Sequence, residues 1–276
     1  MNILFIAKYK LPHIGGVEKH LRMINEELKK KNYKITTISE EDIKPPHIKY
    51  FGLLYIWFWL FKNRELIARS NLVHIHDVFI WYLPFRLLFP FKKVYITFHG
   101  WEGKWPIPLW NIINKRVANL LCNGSIAVGK YIEKYYDIKP SFVVYGGAEF
   151  DEAHGIKYLK GKTKNSLVFL GRQDADTGIN EFKEWLKIHG KHLTVKFVSN
   201  DPNPEKYLKT AEYCVPSGYL SYLESLNYGC KILTFANNPL KIDYWKEIRD
   251  IYDDKSLKSI PTWNDVCDIY IKLWRS

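Results

Sequence analysis

The chain has 276 residues, 47% hydrophobic and 25% charged, an ordinary globular composition with room for one large domain or two modest ones. Its formal net charge of +12 is one-sided: residues 1–140 hold 22 Lys/Arg against 11 Asp/Glu, and residues 141–276 hold 19 against 18. Four scattered cysteines without a CxxC pair argue against a disulfide framework or a zinc site, and the longest apolar run, Phe51 to Phe61, is half of the ~20 residues that cross a bilayer.

The first elements read as a strand-helix-strand unit. Ile3 to Ala7 is a buried strand, Gly15-Gly16 a loop, and Val17 to Lys31 a helix with Val17, Leu21, Ile24 and Leu28 on one stripe. Lys34 to Ser39 is the next strand, so a parallel, doubly wound sheet is expected. Further on, the pattern predicts an aromatic helix over 50–68, a strand over 72–75, a helix over 81–88 and a strand over 94–98. A helix over 112–121, a strand over 124–128, a short helix over 130–136 and a strand over 142–145 complete the first half. Residues 148–165 are polar and aperiodic and read as a linker. The second half predicts strands over 166–170, 193–198, 213–216 and 231–235, with helices over 179–189, 204–210 and 220–228. A terminal helix spans 263–274. Two such units leave a cleft between them, with ligands expected outside the carboxyl ends of the strands.

Several residues at those strand ends can carry chemistry. Gly15-Gly16 lets a backbone approach a ligand at a helix start, where free N–H groups favour an anion, although many such turns carry glycine for steric reasons alone. The GxGxxG and GxxxxGK[ST] spacings are absent, which disfavours NAD and a P-loop. His99-Gly100 ends a strand and offers an imidazole to the cleft, as a hydrogen-bond donor or a proton shuttle. His74 and His76 alternate on a strand and point one way, a candidate metal pair without an evident third ligand. Arg172 follows a strand and can fork onto a diphosphate. Asp174-Ala175-Asp176 is a DxD that reads as turn and helix cap rather than metal site. Gly218 to Leu220 opens a helix and forms a second anion cradle, and Glu224, further along, can accept from ribose hydroxyls or be a solvated carboxylate.

In order along the chain, GGVEKHL (15–21), LVHIHD (72–77), ITFHG (96–100), VVYGGAE (143–149), LVFLGR (167–172) and VPSGYLSYLESLNYGCKIL (215–233) resemble the motifs of the family 4 retaining GT-B glycosyltransferases. The resemblance implies an α/β GT-B architecture: two Rossmann-like domains facing a cleft. Residues 1–147 are expected to form the acceptor-side domain, 148–261 the nucleotide-sugar domain, and 262–276 a helix returning to the first domain. It also implies His99 beside the transferred sugar and Arg172 neutralising the leaving diphosphate. Gly15 and Gly16 would serve the acceptor, Gly16 also the donor. Gly218, Tyr219 and Leu220 would line the phosphate cradle, and Glu224 would hold the ribose. The donor would be a UDP- or GDP-type sugar, with no metal and no further cofactor.

The pattern departs twice on the donor side. Thr177 stands where the family carries a lysine, and Pro216 where it carries the first glutamate of its E-x7-E motif. The implied activity is sugar transfer to a hydroxyl with retention of configuration. An anionic or lipid-linked acceptor fits the basic first half, with the Phe51–Phe61 helix either at a membrane interface or packed on the sheet. A nucleic-acid-directed enzyme and a catalytically degenerate binding module are the other readings. The N-terminus lacks a leader pattern, so a cytoplasmic location is expected, with contact to a membrane surface in the first reading.

Overall fold

The computed structural model describes residues 1–46, 48, 51–149, 161–252 and 260–276. Strand β1 (Asn2–Ala7) runs into helix α1 (Gly16–Lys30), whose buried Leu21, Ile24 and Leu28 are the stripe the spacing predicts. Strand β2 (Lys34–Ile38) follows, and then the short helix α2 (Glu40–Ile43), which the sequence reading missed although Ser39 and Asp42 form its capping box. The helix expected over 50–68 is two, α3 (Phe51–Lys62) and α4 (Arg64–Arg69), parted at Asn63, whose side chain donates to the Trp59 carbonyl. Position 50 lies outside the described residues.

The rest of the first half alternates: β3 (Leu72–His76), α5 (Phe79–Leu88), β4 (Lys93–Phe98), α6 (Leu109–Leu121), β5 (Gly124–Val128), α7 (Tyr131–Tyr136) and β6 (Phe142–Val144). These strands make a six-stranded sheet in the order β2-β1-β3-β4-β5-β6, with every neighbour parallel. All five residues of β3 are buried, as a strand covered on both faces requires.

Of the expected linker, residues 150–160 lie outside the described residues, and β7 (Thr163–Leu170) already begins inside it. A 3-10 turn (Ala175–Thr177), α8 (Ile179–His189), β8 (Thr194–Val198), α9 (Glu205–Leu208), β9 (Ala211–Pro216), α10 (Tyr219–Asn227) and β10 (Lys231–Ile232) follow. Their sheet is parallel and four-stranded, in the order β10-β9-β7-β8. The predicted strand over 231–235 stops at Ile232, and a 14-residue helix absent from the sequence reading, α11 (Pro239–Tyr252), comes next. Its signals were present: Pro239 at the first position, and Leu240, Tyr244, Trp245, Ile248 and Tyr252 on one buried stripe. Asn238 caps it, Oδ1 accepting from the Lys241 amide.

The last helix, α12 (Trp263–Arg275), starts with a capping box between Thr262 and Asp265. It packs on α1, β5 and β6 of the first sheet, and a Cβ at Gly124 would lie 2.6 Å from Leu273. The two halves meet again where α7 packs on α11.

Right-handed crossovers decide which helices share a face. Helix α1 leads from β1 outward to β2, whereas α3 to α7 lead the opposite way across the sheet, so they cover the other face. That face is not closed. In α3 only Ile56 and Leu60 are buried, while Phe51, Leu54, Tyr55, Phe58 and Phe61 are exposed. Helix α5 packs beside α3, and α6 beside α5. They add exposed Leu87, Leu88, Leu109, Trp110, Ile113 and Leu120, with Phe91 at 98% exposure after α5. Lys62 and Arg64 sit over the Phe58 and Phe61 rings, at 4.6 and 5.0 Å. Leu53, Trp57 and Trp59 also pack against the core, so half of the side chains of the Phe51–Phe61 run meet the packed-on-the-sheet alternative and half face outward. Among the described residues, no helix is long and apolar enough to cross a membrane.

Candidate active site

The carboxyl ends of both sheets face one cleft of ≈ 940 Å³. Gly15, Gly16, His99, Arg172, Gly218, Tyr219, Leu220 and Glu224 all line it. Eight positions spread over 210 residues of sequence are thus brought to one cavity of the size that holds a small ligand.

On the first-half wall, Gly16 has open space where a Cβ would stand, with no atom within 4 Å. A Cβ on Gly15 would meet Glu18, which is itself held by His13 at 3.0 Å. Behind this loop lies a hydrogen-bond chain whose direction can be read. Trp274 Nε1–H donates to His74 Nδ1 (2.9 Å), so His74 carries its proton on Nε2 and donates to Thr97 Oγ1 (2.8 Å). Thr97 donates to the Tyr270 hydroxyl (2.9 Å), which donates to His20 Nε2 (2.9 Å). Both nitrogens of His74 are spent, so it is a structural histidine and the candidate His74/His76 metal pair is lost. Among the described residues no group of three or more His, Cys, Asp or Glu could hold a metal ion.

His76 Nδ1 lies 2.8 Å from His99 Nε2, while His76 Nε2 is buried without a partner among the described residues. An orphaned lone pair costs less than an orphaned N–H, so His76 donates and His99 keeps its own proton on Nδ1. Asp77, in the left-handed region at φ 62°, accepts from the His99 amide (3.0 Å) and fixes the strand end. Burial, with the nearby Lys115 ammonium, pulls the His99 imidazole down to about 3. His99 is therefore neutral at physiological pH, with its Nδ1–H free to donate a hydrogen bond.

On the second-half wall, Gly171 has φ 127°, and a Cβ there would overlap the Ser217 side chain at 1.7 Å, so only glycine fits this turn. Arg172 is 65% exposed at the side chain and pairs with Asp174 (2.7 Å) and Asp176 (3.1 Å). The DxD does form a turn, but its carboxylates hold this arginine instead of capping a helix. Thr177 is buried and donates to the Asp174 carbonyl (2.6 Å), so no cation enters the cleft from the position where the family carries lysine.

The expected amide cradle is narrower than its sequence suggests. Gly218 N–H donates to Ser221 Oγ (3.1 Å) and Tyr219 N–H to the Tyr244 hydroxyl (2.6 Å), which leaves the Leu220 amide unengaged among the described residues. Glu224 is not a solvated carboxylate. It is buried and ion-paired with Lys19 of α1, which also reaches Glu205 at 2.9 Å. Burial opposes the Lys19 charge, but the two carboxylates outweigh it and hold its pKa above the ordinary value.

Two site residues escaped the sequence reading because α11 did. Tyr244 stacks on Tyr219 at 3.7 Å between ring centroids, and Lys241 also lines the cleft.

Two parallel α/β sheets sharing a cleft at their carboxyl ends define the class: a GT-B protein of the glycosyltransferase type. A sequence profile of Glycosyltransferase Family 4 matches residues 14–152, just over half of the chain. The chain belongs to glycosyltransferase family 4, whose members use nucleotide sugars. No curated protein sequence matches it. Among solved structures it is similar to AviGT4, a glycosyltransferase involved in Avilamycin A biosynthesis, at 11% identity and a TM-score of 0.59, covering 99% of this chain and 97% of that one. It is similar to an alpha-glucosyltransferase in complex with UDP and a 13-mer DNA, at 9% identity, a TM-score of 0.60 and 100% of both chains. It also resembles the UDP-GlcNAc 2-epimerase of Methanocaldococcus jannaschii in complex with UDP-GlcNAc and UDP, at 12% identity, a TM-score of 0.53 and 100% of both chains.

Proposed function

We propose that this protein transfers a hexose-type sugar from a nucleoside-diphosphate donor to an acceptor hydroxyl, with retention of configuration and without a metal. Residues 1–147 act as the acceptor side, residues 148–261 as the donor side, and residues 262–276 brace the first domain. The observation that carries the reading is the single cleft in which neutral His99 and open-faced Gly16 stand on one wall and Arg172 and Glu224 on the other. In the reaction the bond from the anomeric carbon to the diphosphate breaks with its electron pair on the departing phosphate oxygen. The acceptor oxygen bonds that carbon on the same face, and its proton passes to the departing phosphate. Charge develops on the diphosphate, so preorganised donors aimed there lower the barrier, and Arg172 takes the place of a metal ion. His99 offers its N–H to a sugar hydroxyl, and Gly16 lets the anionic end of a ligand come close to the α1 start. A UDP donor is favoured over GDP because two of the similar structures hold UDP.

The acceptor is anionic or carried at an anionic lipid surface. The apolar face of α3, α5 and α6, flanked by Lys62 and Arg64, supports this. Exposed apolar side chains on neighbouring helices suit acyl chains better than a nucleic acid backbone. Thermal-shift titration with UDP, GDP and their sugars tests the donor. Stabilisation by one of them that is lost in Arg172→Ala and Glu224→Ala is the expected result, and no response to any of them would overturn the reading.

A further inference from the structure

Family resemblance places two cations on the donor diphosphate, and Thr177 removes one of them. Lys241 is a cation that reaches the same wall from a different element. It stands on the first turn of α11, 3% exposed, and lines the cleft with Arg172, Asp176 and Ser217. Its ammonium lies 4.1 Å from the Tyr244 ring centroid and 4.9 Å from that of Trp245, and its one hydrogen bond among the described residues, to the Ser217 carbonyl, is long at 3.4 Å. Among the described residues it has no ion pair with a carboxylate. The Asp174 and Asp176 carboxylates are taken by Arg172.

A buried ammonium held by two ring faces and one stretched hydrogen bond is under-compensated, and an anion entering the cleft would relieve it. Packing alone is the competing explanation. A lysine stem can fill space, but a stem filler lifts its charged end into water, and this one keeps its charge inside. Arg172 differs: it is largely exposed and shares its charge with two aspartates.

We propose that Lys241 is the second cation of the donor site and binds the diphosphate of the nucleotide, replacing from α11 the lysine missing at Thr177. This inference rests on the nucleotide-sugar reading above. The diphosphate lies between Arg172 and Lys241, with the Leu220 amide as a third donor. Lys241 then neutralises charge on the leaving group as the sugar departs. The groups facing its ammonium are Arg172 and Asp176 from the turn after β7 and Tyr244 and Trp245 from its own helix. Burial, offset by Asp176 and reinforced by Arg172, lowers its pKa to about 8. The charge needed for binding is therefore lost at a pH where an arginine would keep it.

Calorimetric titration of the whole chain with UDP, GDP, uridine and guanosine tests this, on wild type, Lys241→Met and Lys241→Arg. Expected is a 10- to 100-fold loss of nucleoside-diphosphate affinity in Lys241→Met with nucleoside affinity unchanged, and recovery to within about tenfold in Lys241→Arg. Wild-type affinity for the diphosphate should fall as pH rises above 8, and that of Lys241→Arg should not. Methionine should leave the thermal midpoint equal or higher, since it removes an under-compensated charge. Diphosphate affinity within twofold of wild type in Lys241→Met would overturn this inference alone. A wild-type protein that binds neither diphosphate would overturn the nucleotide-sugar reading and this inference with it.

Discussion

Lys19 on the first helix and Glu224 on the tenth form an ion pair across the cleft, so the carboxylate that the family resemblance assigns to ribose is engaged by the opposite domain. The pair joins the two halves at one point, and Glu205 doubles it by holding the same ammonium. A donor that takes hold of Glu224 has to share it with Lys19 or displace it. Glu224→Gln should cost at least tenfold in nucleotide affinity by calorimetry. Lys19→Met strands a buried carboxylate and should lower stability by about 3 kcal/mol in urea titration, whereas the double variant Lys19→Met/Glu224→Gln should recover most of that loss. A double variant no more stable than the first would show that the pair is not the link.

Gly16 and Gly171 have opposite surroundings, and substitution should separate binding from folding. Gly16→Leu projects into open cleft, so the thermal midpoint should hold within about 2 °C while ligand affinity falls at least tenfold. Gly171→Ala forces a Cβ into Ser217 at a positive φ and should lose about 2 kcal/mol or more. Equal loss of stability in both would mean that the Gly16 loop is packed, not open.

Acid should unfold this protein earlier than its composition suggests. His20, His74, His76 and His99 are all pushed below their ordinary pKa by burial first; the second cause is the crowding of the histidines on one another, except at His99, where it is the Lys115 ammonium, and His99 falls to about 3. Between that range and about 6.5 the unfolded chain binds protons that the native chain refuses, so stability rises with pH through the window and is lost as pH falls below 6.5. Each such histidine steepens the slope by about 1.4 kcal/mol per pH unit. Urea midpoints from pH 7.5 to 4.5 should show it, and His74→Asn or His99→Asn should flatten the profile. A flat wild-type profile over that range would contradict the buried, neutral cluster.

The exposed face of α3 should act at a lipid surface and not in the fold. Wild type should sediment with anionic vesicles at low salt and release as salt rises. Phe58→Ser/Phe61→Ser should abolish sedimentation without lowering the thermal midpoint, because both rings are about half exposed. Sedimentation unchanged in that variant would remove the aromatic face from the interaction.

Most strands, the Gly15-Gly16 loop and the convergence of eight positions on one cleft were legible in the sequence, because strand-end motifs carry their own spacing and apolar stripes. Helix α11 was missed: its stripe is interrupted by Lys241, Asp243 and Lys246, and its apolar members are mostly aromatic, so the period is easy to overlook. With it went Lys241 and Tyr244. The direction of the histidine chain was not legible either, since it depends on Tyr270 and Trp274, which the chain supplies about 200 residues after His74.

The sequence by itself determined the two α/β halves, their cleft and the family, because periodicity and motif order are local properties of the chain. Only the tertiary structure decided how charge is distributed inside that cleft. It spent the DxD on Arg172 and Glu224 on Lys19, engaged two of the three cradle amides, and left the Lys241 ammonium inside without an ion-paired carboxylate among the described residues. Charge pairing follows distances between segments far apart in sequence, and folding sets those distances.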